Sequence, residues 1–251
     1  MTESLLCLQN LDKSFGGLQV CSDISFTVSP GELHALIGPN GAGKTTLLNL
    51  ITGLLPVSGG VLLFKGRDIT RFSVPARARL GMARSFQITS LFAGFTVQEN
   101  IALAVQANEG SSYRFWQQAS ASPALQQPAR EIMSRLGLAK RAGMKASHLA
   151  HGEQRLLEIG MALATTPELL LLDEPMAGLG PGSSRDLAEM IKTLKGGVTI
   201  VLVEHDMEAV FSLADRITVL DQGRVVATGT PEEIRNNPVV QDVYLGTACL
   251  I

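Results

Sequence analysis

The chain has 251 residues, 45% of them hydrophobic, and 21 Lys and Arg against 23 Asp and Glu leave a net charge of −2. That is enough apolar material for one large α/β domain or a domain with a small insert, and without a basic block it gives no electrostatic case for binding nucleic acid. No apolar run approaches the roughly 18 residues of a membrane span, and Met1-Thr2-Glu3 does not start a signal peptide. The three cysteines, Cys7, Cys21 and Cys249, are scattered without metal-ligand spacing, which suits a reducing compartment. A cytoplasmic protein is expected, free or attached to something in the membrane.

In chain order, residues 4–37 read as short strands, with strand character at 5–8 and 24–28 and a Pro30-Gly31 turn leading into an apolar run at 32–37. Then comes Gly38-Pro39-Asn40-Gly41-Ala42-Gly43-Lys44-Thr45-Thr46, which fits G-x-x-x-x-G-K-[ST]. A strand before it and a helix over 45–53 after it are the context in which this pattern binds phosphate. Glycines let the backbone wrap an anion, successive N–H groups and the helix N-terminus point at it, and Lys44 adds a compact charge for the β- and γ-phosphates. Thr45 offers a hydroxyl to Mg²⁺. A turn at 57–60 leads to a strand at 61–64, and a short helix is expected at 75–81, before Arg84-Ser85-Phe86-Gln87.

Residues 96–165 carry mostly helical pattern, with a variable insert at 106–128 that is rich in Gln, Ser and Ala and holds Trp116. Strand character returns at 169–172, 198–203 and 217–220, separated by helical stretches that include 185–194 and 207–214. Such alternation predicts a mostly parallel sheet with helices on its faces. The strand at 169–172 ends in Asp173-Glu174. In a P-loop protein the first of these acids can hold Mg²⁺ opposite Thr45, and the second is placed to orient or deprotonate the attacking water. His205 ends another core strand and should lie beside them, where it could donate to the γ-phosphate and hold that water. Thr230-Pro231 caps a last helix start.

Taken together these motifs resemble the ATP-binding subunits of ABC transporters. The phosphate loop at 38–45 matches the Walker A and 169–174 the Walker B. Gln87 matches the Q-loop, Leu149-Ala150-His151-Gly152-Glu153 the signature, and His205 the H-loop. The resemblance implies an α/β P-loop NTPase fold in one domain. A catalytic core would span 1–87 and 161–229, with a mostly parallel sheet and an antiparallel β-subdomain. A helical subdomain would span 88–160, and a helical tail 230–251. It implies ATP and Mg²⁺ as ligands, Phe15 stacked on adenine with Val20 beside it, and Gln87, Thr45 and Asp173 at the metal. Glu174, His205 and Gln87 are the implied catalytic residues.

Partners follow from the same likeness: two membrane permease subunits, a second ATP-binding subunit whose Walker A would face this chain's signature, and a periplasmic or extracellular binding protein. The site would lie at the cytoplasmic face of the membrane, and residues 88–95, with Leu91, Phe92 and Phe95, would form a groove for a membrane-subunit helix. Two positions depart from the family pattern. Ala150 replaces a serine, and Gly180 stands where many members have an aspartate; both would weaken the service this chain gives its partner's site. The Phe15-Gly16-Gly17-Leu18 turn, the insert, the residues after 203 and the tail with Tyr244-Leu245-Gly246 are similar to the ATP-binding subunits of branched-chain amino acid importers. Relatives that carry urea, amides or aromatic acids, or a weakly hydrolysing nucleotide clamp, are the alternatives.

Overall fold

The computed structural model describes residues 4–85, 91–108 and 123–245. Gln87, Ile88, Trp116, Gly246 and Cys249 lie outside them. Two sheets share the work. Strands β1 (Leu6–Phe15), β2 (Leu18–Val28), β4 (Gly59–Phe64) and β5 (Arg67–Asp68) form an antiparallel sheet in the order β2-β1-β4-β5. The second sheet runs β10-β9-β3-β8-β7-β6, built from β3 (Leu33–Ile37), β6 (Met82–Ser85), β7 (Leu169–Asp173), β8 (Thr199–Val203), β9 (Arg216–Asp221) and β10 (Arg224–Gly229). Its strands are parallel except for the pair β9–β10.

Every residue of β3, β7 and β8 is buried, as expected of strands covered on both faces. Alternation along them divides the protein into two cores. Leu33, Ala35, Ile37, Leu170, Leu172, Ile200 and Leu202 face one apolar cluster, which the helices cover. Leu36, Leu169, Leu171, Val201 and Val203 face the other, which is closed by β1, β2 and helix α1 (Lys44–Thr52). A period of two with apolar residues on both faces is what turns four consecutive leucines into a central strand.

Beyond α1, the helices are α2 (Val74–Arg79), α3 (Val97–Asn108), α4 (Pro123–Arg135), α5 (His151–Ala164), α6 (Pro181–Leu194), α7 (Met207–Leu213), α8 (Pro231–Arg235) and α9 (Pro238–Leu245). Helices α3, α4 and α5 pack on one another, and α5 also reaches β6 and α6. Among the described residues no helix is long and apolar enough to cross a membrane.

Several elements differ from the sequence reading for physical reasons. β1 and β2 run 10 and 11 residues rather than as short segments. Exposed Gln9, Asn10 and Asp23 interrupt them, and register shifts with Asn10 at φ 48° break the apolar alternation. Residues after α2 form β6 because β7 supplies parallel partners for Met82 through Ser85. Helix α6 starts four residues early, at Pro181, whose missing N–H costs nothing in the first turn. Thr230 caps α8 as expected, accepting from the Glu233 N–H, while Glu233 accepts in return from the Thr230 N–H.

The C-terminus of α1 is closed by an arginine. Arg77, 2% exposed, donates to the carbonyls of Leu50 and Ile51, each at 2.6 Å, and to those of Thr70 and Phe72, each at 3.0 Å. The helix end and the turn leave the carbonyls of Ile51, Thr70 and Phe72 without a backbone donor among the described residues, while that of Leu50 also accepts from the Gly53 N–H at 3.2 Å. Arg77→Ala strands them in a buried place and should cost about 3 kcal/mol. In thermal unfolding Tm should fall by about 8 °C; a change under about 2 °C would contradict this role.

Candidate functional site

The phosphate loop is fixed by its neighbours. Gly38 has φ +152°, and a β-carbon there would stand 2.1 Å from the Leu220 carbonyl oxygen at the end of β9. At Gly43, φ +100°, a β-carbon would meet the Val20 carbonyl oxygen at 3.0 Å. Only glycine fits both positions. The Ala42 carbonyl accepts from the Gly223 N–H at 3.1 Å, and the Gly223 carbonyl accepts from the Ser22 N–H at 2.8 Å, so β2 and the β9–β10 turn carry the loop from behind.

Lys44 opens α1 and is 7% exposed. Its Nζ donates to the carbonyls of Gly38 at 2.7 Å and Pro39 at 3.0 Å. Burial pushes its pKa below the usual lysine value, opposed by the nearby charges of Glu174 and Asp173. Those two acids and the lysine are therefore parts of one electrostatic site. Thr45, beside Lys44, is exposed. No cluster of three or more His, Cys, Asp or Glu that could hold a metal occurs among the described residues, so any metal here needs other oxygens as well. Asp173 fits such a site. It is fully buried, and its Oδ1 has no hydrogen-bond partner among the described residues. Its Oδ2 accepts from Arg84 at 2.7 Å.

Strand register brings the other acid and the histidine together. Asp173 pairs with Val203 across β7 and β8, and the Glu174 N–H donates to the Val203 carbonyl at 2.8 Å. Glu174 is a non-glycine residue at φ 47°, a conformation that costs about 1–3 kcal/mol and persists only where surroundings hold it. Arg155 of α5 helps hold it, donating to the Glu174 carbonyl at 3.2 Å and to the Pro175 carbonyl at 3.1 Å. Buried Glu204 ties the two loops: its Oε1 accepts from the Met176 N–H at 2.7 Å and its Oε2 from the His205 N–H at 3.2 Å. Burial raises the Glu204 pKa, and these two hydrogen bonds oppose the rise. The His205 side chain is 63% exposed, with its Nδ1 3.8 Å from Glu204 Oε2.

The sequence matches the ABC transporter family over residues 21–177. The chain belongs to that family. Its residues 224–249 also match the family described as branched-chain amino acid ATP-binding cassette transporter. The chain is 42% identical to the high-affinity branched-chain amino acid transport ATP-binding protein LivG of Escherichia coli strain K12, over 99% of this chain and 100% of that one. It is 38% identical to BraF, of the same description, from Pseudomonas aeruginosa, over 99% and 100%. Among solved structures it is similar to the ADP conformation of MJ1267, an ATP-binding cassette of an ABC transporter. The TM-score is 0.85 at 30% identity, covering 97% of this chain and 99% of that one. A nucleotide-free ATP-binding cassette gives 0.84 at 31%, covering 96% and 98%. As a member of the ABC family, this chain is a transport ATPase.

The remaining ABC positions fall as follows. Phe15, 46% exposed, ends β1, and the Lys13 Nζ lies 4.8 Å from its ring centroid. Val20 is half-buried, and its backbone rather than its side chain backs the loop. In the signature, Leu149 is buried, Ala150 is the N-cap of α5, and His151 is exposed. Ala150 has no side-chain acceptor for the helix, so only half of a capping box forms: Glu153 accepts from the Ala150 N–H at 3.1 Å. A β-carbon on Gly152 would lie 3.0 Å from the Ser183 β-carbon of α6, which sets the α5–α6 distance. Gln87 lies outside the described residues. Arg84, Asn49, Arg155 and Glu204 escaped the sequence reading, because each touches the site only through the fold. Only Asn49 gives a visible signal, an amide inside the apolar run Leu47-Leu48-Asn49-Leu50-Ile51.

Gly38→Ala forces a methyl group into the Leu220 carbonyl and displaces the loop. ATP affinity should fall at least about 10-fold, or about 1.4 kcal/mol, with far-UV circular dichroism unchanged; wild-type affinity would contradict the fit.

Proposed function

We propose that this chain powers an importer of branched-chain or other hydrophobic amino acids, hydrolysing ATP at a site made of its own phosphate loop, Asp173, Glu174 and His205. The observation that supports it most is the convergence of the buried Lys44, the unpaired Asp173 oxygen and the Glu174–His205 strand ends. The substrate class rests on the relatives' descriptions and on the match over 224–249.

In this reading Phe15 stacks on adenine with Val20 beside it, and the loop amides and Lys44 hold the β- and γ-phosphates. Thr45 and Asp173, with Gln87, would hold Mg²⁺, which when bound neutralises charge on the phosphates. Glu174 accepts a proton from the attacking water, and His205 donates to the γ-phosphate. The partners would be a second ATP-binding subunit, two membrane permease subunits and, through them, a binding protein. ATP would close this chain on the second subunit, with the backbone of Gly152 against that subunit's γ-phosphate. Ala150 supplies no hydroxyl there, which favours two unequal sites. The chain would lie peripherally at the cytoplasmic face.

Residues 88–160 would move as a helical subdomain on Gln87 and push on the membrane subunits. A cavity of about 530 Å³ between α1, α2 and β6 on one side and α3 and α5 on the other is mostly apolar. We assign it to a cytoplasmic helix of a membrane subunit. Exposed Phe92 and Phe95, stacked with ring centroids 5.5 Å apart, would add a second contact, while Leu91 packs on the core.

In the assembled complex Glu174→Gln should keep ATP affinity within about 3-fold and lower turnover at least about 100-fold, the range of a lost general base. Normal turnover in a steady-state phosphate-release assay would remove Glu174 from that role.

A further inference from the structure

A lysine continues the buried side of β1. Leu6, Leu8 and Leu11 are buried along the strand, and Lys13 is the next buried residue. Lysine is seldom buried without a partner for its charge. Among the described residues Lys13 forms no ion pair. Its Nζ instead donates to the Pro56 carbonyl at 2.8 Å and lies 4.8 Å from the centroid of the Phe15 ring.

The surroundings of the ring give these contacts their meaning. Phe15 ends β1 at the Gly16-Gly17 turn and is exposed, and no other ring stacks on it among the described residues. A β-carbon on Gly16 or Gly17 would meet nothing within 4 Å beyond its chain neighbours, so the hairpin tip is uncovered. A phenyl ring has two faces. The buried ammonium takes the inner one, which leaves the outer one for a ligand. Pro56 follows α1, the helix that opens at Lys44. The same turn holds the strand end twice more. Ser58 Oγ accepts from the Ser14 N–H at 3.0 Å, and the Ser58 N–H donates to the Asp12 carbonyl at 2.9 Å. The ring is thus anchored to the far end of the helix that begins in the phosphate loop.

We propose that Lys13 is a positioning residue for the adenine base, acting through Phe15. The ammonium holds the ring by its inner face and draws π-electron density towards itself. The outer face becomes less negative, which favours stacking of an electron-rich purine on it. Lys13 does not touch the nucleotide. This rests on the reading of Phe15 as the adenine platform.

The test is calorimetric titration of the full chain with ATP and with inorganic tripolyphosphate, which offers the phosphate loop a ligand without a base. Lys13→Met keeps an unbranched side chain and removes the charge. It should weaken ATP binding about 5-fold, the range of a desolvated cation–π contact, and leave tripolyphosphate affinity unchanged. In a Phe15→Leu background the same substitution should have no further effect on ATP. Equal weakening of both ligands would make Lys13 a general support of the loop, and an undiminished effect in the Phe15→Leu background would mean that it acts without the ring. Either result overturns the proposal, as does wild-type ATP affinity in Lys13→Met. Lys13→Gln keeps a donor for Pro56 without the charge, and it carries the same comparisons if the Met variant does not fold. Phe15→Leu alone separates the underlying reading. Wild-type ATP affinity there removes Phe15 as the adenine platform, whereas weakened affinity there beside wild-type affinity in Lys13→Met removes only the role of Lys13.

Discussion

Everything at this site depends on one buried ammonium. Lys44 has little solvent to lose itself in, and its charge is met by two carbonyls of the loop that it follows. That pairing keeps the loop curled while the glycines keep it pressed against β9 and β2. Anchored this way, the loop amides stand ready before a phosphate arrives, so binding need not order them first. The two carboxylates where β7 ends temper the cost of burying the lysine, and they are the groups to which the proposed mechanism gives the metal and the attacking water. In that mechanism the charges that stabilise the loop and the charges that act on the γ-phosphate are largely the same set.

The second constraint is the parallel register of β7 and β8. It places Asp173 opposite Val203, so each chain segment leaves the sheet at the same level. Glu174 leaves in a left-handed conformation, clamped by Arg155 from the signature helix. Glu204 holds the backbone of Met176 and His205 in one carboxylate. A movement of α5 therefore pulls on the Glu174 backbone directly. This offers a physical reason why α5 and the proposed general base of one chain should respond together, even though the signature would serve a neighbouring site in the proposed dimer.

How far the sequence could be read follows from where each residue's constraint comes from. The phosphate loop, α1 and the central strands are legible because their constraint is local: Gly38 and Gly43 must be glycine, and four leucines bounded by acids make a buried parallel strand. The family resemblance follows from the order of such local motifs, and the match over 21–177 bears it out. The long β1 and β2 were not legible, because their polar stretches pair only with each other and with β4. Strand β6 was hidden for the same reason, and with it Arg84, whose partners Asn49 and Asp173 lie 35 and 89 residues away in the chain. Arg77 and Glu204 are likewise silent in sequence, since a buried charge is explained only by the carbonyls or amides folded around it.

The most direct measurement of the central claim, that the loop around Lys44 reads the β- and γ-phosphates, is calorimetric titration of ATP, ADP and AMP into wild type and Lys44→Ala. Wild type should bind ATP and ADP far more tightly than AMP. The variant should lose most of that discrimination, with its weak AMP affinity unchanged. Equal loss for all three nucleotides, or retained preference for ATP over AMP, would contradict the account.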